Sequence, residues 1–280
     1  MKKRRRLTVP ALLVCAGMLL GLYGCAQATP RPITDVNDLE GRRVGVCLAW
    51  SADYLLTGRE DMRLYRYDNR GGMLLALCYH QVDAVATEYY GYRLIEALTT
   101  GIGAVEPPIA EEGFTFFFGS DEEEACEQFN TFLREFMQTP EYDGFSERVF
   151  AFDGENADTL SIEPGGTGRV LNVGASVDCY PSVFLDAETG AVTGFEVELL
   201  TRFANRYGYR LDFTPTDYTD GELGLRYGRY DVMIGQLSEL YREDVEAAGL
   251  RVSDDYIFLP MYLMQVTDPD GLRILGNFDE

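Results

Sequence analysis

Short apolar runs alternate with segments of helical periodicity along most of the chain. Val44 to Cys47 reads as a buried strand after a turn at Gly41, and Ser51 to Leu56 as the helix that follows it. Leu64 to Tyr67 predicts a second strand, Gly71-Gly72 opens a helix through Tyr79, Asp83 to Ala86 is a third strand, and Tyr90 to Leu98 is another helix. Strict alternation of this kind implies parallel βαβ units with right-handed crossovers, hence an open α/β sheet. After the apolar run Phe114 to Phe118, Ser120 and Glu123 have the spacing of a capping box. Phe129, Phe132, Leu133 and Phe136 then recur at helical spacing, as a core-facing stripe does.

Residues 153–168 lose periodicity and gather Gly, Asp, Glu and Pro, which reads as a linker. A second α/β block follows. Val170 to Val173 predicts a strand. Thr193 and Glu196 are placed to cap a helix whose apolar face is Phe195, Leu199, Leu200, Phe203 and Tyr207, and Gly208 is placed to end it. Leu211 to Phe213 and Asp231 to Ile234 predict two more strands, with a short helix around Leu223 to Tyr227 between them.

The composition, 46% hydrophobic and 25% charged, is that of a folded chain of one sizeable domain or two lobes. A formal charge of -22 argues against nucleic acid as a partner, because phosphates require a basic footprint. His80 is the single histidine, so neither a histidine-built metal site nor a Ser/His/Asp triad is easily assembled, and no cofactor is expected.

The first 25 residues read as a targeting segment: a charged run from Lys2 to Arg6, then an apolar stretch from Leu7 to Tyr23. Its end, Leu22-Tyr23-Gly24-Cys25, resembles a bacterial lipobox, which would make Cys25 the lipid-bearing first residue of the mature protein. An uncleaved membrane anchor and cleavage after Ala26-Gln27-Ala28 are the alternatives. Cleavage before Cys25 leaves 19 arginines, no lysine and 46 acids, so an acyl chain rather than a basic patch would hold the protein at a membrane. Cys47, Cys78, Cys126 and Cys179 remain, in no CxxC spacing, and are expected as buried free thiols. Two α/β blocks on one exported lipoprotein suggest a bilobed binder with a cleft between lobes.

Several segments resemble the bacterial extracellular solute-binding proteins of family 3, the amino-acid-binding components of ABC importers. In the second block these are Gly190 to Tyr207, Tyr230 to Ile234 and Val252-Ser253-Asp254-Asp255-Tyr256; in the first, Asp38 to Val46 and Val82-Asp83-Ala84-Val85; and Tyr142 to Phe150 is similar to the family's closing helix. The resemblance implies a bilobed, type II periplasmic-binding-protein-like α/β fold, two open sheets with a cleft between them. The family runs in the opposite order, from the block seen here at 169–266 to the block at 33–116 and then the closing helices. A circular permutation accounts for this, and so does a tandem arrangement whose final lobe is absent; permutation is the expectation, since chain ends in compact domains often lie close together. Residues 26–32 are then a tether and 33–116 one lobe. Residues 117–152 are closing helices packed on the other lobe, 153–168 the linker, 169–262 the second lobe, and 263–280 a crossing strand and tail. Phe114 to Phe118 and Met261 to Val266 are expected to pass between lobes.

Carried residue by residue, the resemblance assigns a ligand site. Arg242, in the run from Gly235 through Ser238, matches the arginine that clamps a ligand carboxylate, although the run is one residue short and lacks a threonine; alternatively Arg242 is a surface arginine paired with Glu239 or Glu246. Glu88 follows the Val82 to Val85 strand where the family's acid receives the ligand amine. The turn Cys47 to Ala52, with Trp50 and Ser51, matches the segment whose backbone N–H groups meet an anion. Tyr180, Phe184 and Trp50 are candidates for stacking on the ligand, or for simple core packing. The implied function is a monomeric, lipid-anchored protein that closes two lobes around a small polar solute, an amino acid or related amine, and presents it to an ABC permease. Two alternatives remain: a degenerate lobe pair acting as a sensor or protein-binding module, whose cleft would be filled by its own side chains, and an enzyme on the same fold, for which no motif is found.

Overall fold

The computed structural model describes residues 31–276. The targeting segment with Cys25, most of the tether and the last four residues lie outside that range. Nine strands form the main sheet: β1 (Arg43–Cys47), β2 (Arg63–Tyr67), β3 (Ala84–Thr87), β4 (Ile102–Phe118), β5 (Val170–Ser176), β6 (Arg210–Thr216), β7 (Val232–Ser238), β8 (Arg251–Val252) and β9 (Ile257–Val266). Among the described residues, eight α-helices accompany them: α1 (Ser51–Leu56), α2 (Arg70–Cys78), α3 (Tyr89–Leu98), α4 (Glu123–Phe136), α5 (Pro140–Phe150), α6 (Phe195–Tyr207), α7 (Tyr218–Arg226) and α8 (Arg242–Ala247). The predicted alternation and the α/β class are those observed.

The strand order is β2-β1-β3-β9-β4-β7-β5-β6, with β8 paired to β4 off this path. In the first wing, β1 lies parallel to and between β2 and β3. In the second wing, β5 lies in the same way between β6 and β7. The two sheets expected from the sequence are therefore one: β4 and β9 run antiparallel through both wings, from Ile257 opposite Phe114 to Val266 opposite Ile102. β9 then pairs with β3 in the first wing, while the Phe114 to Phe118 end of β4 pairs with β7 and β8 in the second. The sequence reading found only the apolar end of β4. Its earlier part, residues 102–111, is mostly half-exposed and includes Pro107 and Pro108, so it has no hydrophobic run and is a strand because β9 pairs with it.

Local sequence accounts for several helix ends. Asn69 accepts from Gly72 N at the start of α2, Thr139 from Tyr142 N at the start of α5 and Asp217 from Asp220 N at the start of α7. Gly208 ends α6 in the left-handed conformation at φ +80°. Two expected caps do not form. Ser120 bonds to Asp121 while α4 begins at Glu123, and at α6 the N-cap is Gly194, with Glu196 drawn into a tertiary contact described below.

The aromatic stripe of α4 is core, as expected. Phe129 and Leu133 are fully buried, and Phe129 packs against Phe116 of β4 and edge-on to Phe203 of α6. Phe145 of α5 meets Phe195 of α6 in the same cluster, so α4 and α5 share a core with the second wing. A charged cluster also joins α5 to α6: Arg148 donates to both oxygens of fully buried Glu198 at 2.6 and 2.7 Å, Arg202 donates to Oε1 at 2.9 Å, and Leu160 N donates to Oε2 at 3.0 Å. The stretch 153–168 is irregular but docked rather than loose. It is held at Leu160, and Gly165 N bonds to Asn205 Oδ1 of α6. The four cysteines in the described residues are free; Cys47 and Cys126 are buried, while Cys78 and Cys179 are half-buried.

Candidate functional site

A cavity of ≈ 550 Å³ opens where the two wings face each other. The first wing contributes Trp50, Ser51, Arg70, Glu88 and Tyr90; the second contributes Asp178, Tyr180, Tyr218, Gln236 and Tyr241, and Phe114 of β4 lies between. A cleft filled by the chain's own side chains, as the degenerate reading requires, is not what this geometry presents.

Of the residues expected from the sequence, the fold brings Glu88, Trp50, Ser51 and Tyr180 to the cavity wall. Glu88 precedes α3, and its Oε1 accepts from Ala52 N at 3.1 Å, so the backbone donor expected to meet a ligand anion is already occupied. Ala49 N is taken as well, donating to Asp53 Oδ2 at 3.0 Å. The Tyr180 hydroxyl donates to Glu155 O at 2.7 Å, and the Phe184 ring stands edge-on to Tyr180 at 4.8 Å, behind the wall rather than in it.

Arg242 and Ser238 are not in the wall. Ser238 is fully buried, its hydroxyl accepting from Leu240 N to cap a short 3-10 turn over Glu239–Tyr241. That turn runs directly into α8, which starts at Arg242. Such a tight connection turns position 241 toward the cavity and 242 away. The Arg242 guanidinium donates to Ser253 O at 2.9 Å and Val252 O at 3.4 Å, with Glu246 and Asp255 each at 3.9 Å. It braces β8 and the segment after it, and of the two acids expected as alternatives, Glu246 is the one nearby. Tyr241 takes the cavity position instead. Its hydroxyl donates to Ala49 O of the first wing at 3.1 Å, and its ring stands edge-on to Tyr54 at 5.3 Å.

Beyond Tyr90, Asp178, Tyr218 and Gln236, which the sequence does not single out, four residues in or behind the wall matter to the site. Tyr241 is one. Arg70, the first residue of α2, points into the cavity with its guanidinium 4.9 Å from the centre of the Trp50 ring. Glu196 is the third: it is fully buried, and its carboxylate accepts from Gly235 N at 2.7 Å, Gln236 N at 2.8 Å and the Tyr256 hydroxyl at 2.8 Å. Those bonds hold a bulge in the middle of β7 where Gly235 adopts φ +140° and Gln236 φ +53°, placing Gln236 in the wall. Gly235 is required there, because a Cβ would lie 2.4 Å from the Cβ of Ser176. Burial pushes Glu196 up to about 7, against the opposing effect of its three hydrogen bonds.

The fourth is Glu112, near the middle of β4. It is 2% exposed, and its Oε1 has no hydrogen-bond partner among the described residues. Burial, reinforced by the nearby charge of Glu88, pushes its carboxyl up to about 8, although the Ser51 and Ser238 hydroxyls pull it down. Beside it the Tyr241 phenol is raised too, chiefly by burial. Glu112 and Glu196 thus lie buried behind the wall, and the wall itself carries Arg70, Glu88 and Asp178 among aromatic rings. Such a chamber can hold a small molecule with a carboxylate, an amine and an apolar body.

Residues 171–247, which contribute Asp178, Tyr180, Tyr218, Gln236 and Tyr241 to the wall, match the family described as bacterial extracellular solute-binding proteins, family 3. The match is to this segment. It covers most of the second wing and α6. The L-cystine-binding protein TcyA of Bacillus subtilis (strain 168) is 36% identical over 75 residues, which are 27% of this chain and 28% of the relative, so the match spans little more than a quarter of either protein. Among solved structures, the L-cystine solute receptor of Neisseria gonorrhoeae, in its unliganded open conformation, is 29% identical over 25% of this chain and 29% of that one, at a TM-score of 0.23. The ancestral amino acid-binding protein AncCDT-1, a precursor of cyclohexadienyl dehydratase, is 10% identical over 81% of this chain and 82% of its own, at a TM-score of 0.40. Among the described residues, no helix is long and apolar enough to cross a membrane, and no group of three or more His, Cys, Asp or Glu is arranged to hold a metal ion.

Proposed function

We propose that the protein is an extracellular solute-binding protein that captures a small polar solute, an amino acid or related amine, and delivers it to an ABC permease. The observation that carries this reading is the cavity itself: its wall draws on both wings of the sheet, so a solute touching both favours the closed arrangement. The family match over residues 171–247 supports the same class. The two wings are the two lobes, β4 and β9 are the strands that cross between them, and α4 and α5, which precede the second block in the chain, close the second lobe. The repeated order of three parallel strands in each wing supports a complete, circularly permuted pair of lobes, as does the shared core of α4, α5 and α6.

Binding is read by the stability of the mature protein. A solute that binds only the folded state at a hundred times its Kd adds about 2.7 kcal/mol. A melting screen against the twenty amino acids, L-cystine and small amines is therefore expected to show a saturable rise in Tm with one of them, confirmed by calorimetry. No rise across the panel would remove this reading. L-cystine enters the panel because the curated relative that matches the second wing is named for it.

The N-terminal segment adds a location. With Cys25 lipidated after its basic and apolar leader, the mature chain is tethered on the extracytoplasmic face of the cell membrane. Cys25→Ala is expected to release the protein from the membrane fraction, with loss of an acylated N-terminal peptide in mass spectrometry. An unacylated mature terminus at Gln27 or Thr29 in the natural sequence would show that no lipid is attached.

A further inference from the structure

We infer that Arg70, not Arg242, receives the anionic end of the solute, so that a carboxylate is held by the same wing that carries Glu88. This inference rests on the solute-binding reading and assigns it a residue. Several donors at or behind the cavity wall are spoken for: Ala52 N by Glu88, Ala49 N by Asp53, Gly235 N and Gln236 N by Glu196, and the Gln236 amide by the carbonyls of Cys179 and Tyr180. Arg242 faces elsewhere and donates to the carbonyls of Val252 and Ser253. Arg70 differs from all of these. Its Nε is buried with no hydrogen-bond partner, and no carboxylate lies within 4 Å of its guanidinium among the described residues. A buried donor left unpaired is costly, and it is paired in most folded proteins.

Three further features agree. Arg70 is the first residue of α2, where its charge adds to the positive end of the helix instead of opposing it, so an anion placed there relieves two unfavourable terms. The Trp50 ring beneath the guanidinium at 4.9 Å fixes its plane and leaves the fork free for a bidentate partner. Gly91 of α3, also in the wall, has no side chain to occupy the space beside Nε; a Cβ there would sit 3.2 Å from it.

The consequence concerns how the solute is held. With Arg70 and Glu88 both on the first wing, the two charged ends of a zwitterion dock on one lobe. The second wing then closes with Tyr180, Tyr218, Tyr241 and Gln236 over the apolar body. The opposite-wall pairing of Arg242 with Glu88 is not formed, because Arg242 lies outside the wall.

Trp50 is the only tryptophan of the chain, so its emission reports directly on the neighbouring guanidinium. The mature protein is titrated with the twenty amino acids and L-cystine, and each binder is compared with the amine lacking its carboxylate, cystamine for L-cystine. We expect the carboxylate-bearing binder to change Trp50 emission and its amine counterpart to leave it unchanged. Arg70→Gln should weaken that binder by about tenfold or more, the worth of a charge-assisted hydrogen bond, while Arg242→Gln stays within about twofold of the natural protein in this assay. Melting curves confirm folding of both variants, and if Arg70→Gln does not fold, Arg70→Lys, which keeps the charge and loses the fork, is read in its place. Binding unchanged by Arg70→Gln, or lost in Arg242→Gln alone, overturns the assignment and leaves the solute-binding reading standing. No binder at all in calorimetry overturns both.

Discussion

Glu198→Ala is expected to lower the stability of the protein by about 3–5 kcal/mol, the usual cost of removing one partner from a buried ion pair. The carboxylate is fully buried, with Arg148 of α5 and Arg202 of α6 donating to it from positions 17% and 22% exposed. Without it, two nearly buried guanidinium groups face each other and Leu160 N loses its acceptor. Both partners outside α6 belong to segments that return to the second wing from elsewhere in the chain, so the loss falls on α5 and on residues 153–168 together. Urea unfolding should show the drop, and hydrogen exchange should localise faster opening to residues 140–165. Glu135→Ala is the control. Its pair with Arg206 also joins α4 to α6, but both side chains are about 60% exposed, and a solvated pair contributes about 1 kcal/mol or less. If the two variants were destabilised equally, Glu198 would have no special part in attaching α5.

The second large effect is a loss of stability as pH rises from about 4 to about 8. Three carboxyls are shifted upward in the folded protein: Glu112 to about 8, Glu196 to about 7 and Asp255 to about 6, each chiefly by burial. An acid with a raised folded pKa holds its proton in the fold at a pH where the unfolded chain has released it. Its stabilising contribution is complete below the unfolded value and disappears as pH climbs through the folded one. Carboxyls shifted the other way, such as Asp83 beside Arg43, act below about 4 and so outside this window. Glu112 carries the largest of the upward shifts, facing Glu88, Glu239, Ser51 and Ser238, and at about 1.4 kcal/mol per unit its contribution is on the order of a few kcal/mol. Glu112→Gln keeps the shape and removes the titration. It should raise Tm by several degrees at pH 8, given roughly 2–4 °C per kcal/mol for a domain of this size, and leave Tm nearly unchanged at pH 4. The formal charge of -22 also disfavours the compact state at high pH, which is why the difference between the two proteins, rather than either curve, is the measurement. Parallel curves for the natural protein and Glu112→Gln would show that Glu112 ionises without cost.

Much of this architecture could be read from one dimension. The strands at Val44, Leu64, Val170 and Leu211, the phenylalanine face of α4 and the end of α6 at Gly208 follow from periodicity, β-branched runs and one left-handed glycine. Each of these signals is produced and satisfied within a few residues. Four members of the cavity wall, Trp50, Ser51, Glu88 and Tyr180, were also legible, because the family resemblance carries site positions onto their segments. The remainder depended on partners distant in sequence. The half-exposed start of β4 is a strand only because β9 pairs with it. Glu196 has the spacing of a helix cap, yet two backbone amides and a phenol forty to sixty residues away compete for its carboxylate and win, since a buried acid is stabilised by every donor it can reach. Tyr241 takes the cavity position expected of Arg242 because a single tight turn over Glu239–Tyr241 runs straight into α8. Arg70 and Glu112 show nothing unusual in sequence. What gives one a buried, unpartnered Nε beside an indole and the other a buried carboxyl with an unpartnered oxygen is the meeting of the two wings around them: local pattern settles which elements form and which face is apolar, but the solvation and partners of a charged side chain are set by whatever the rest of the fold brings within a few ångströms of it.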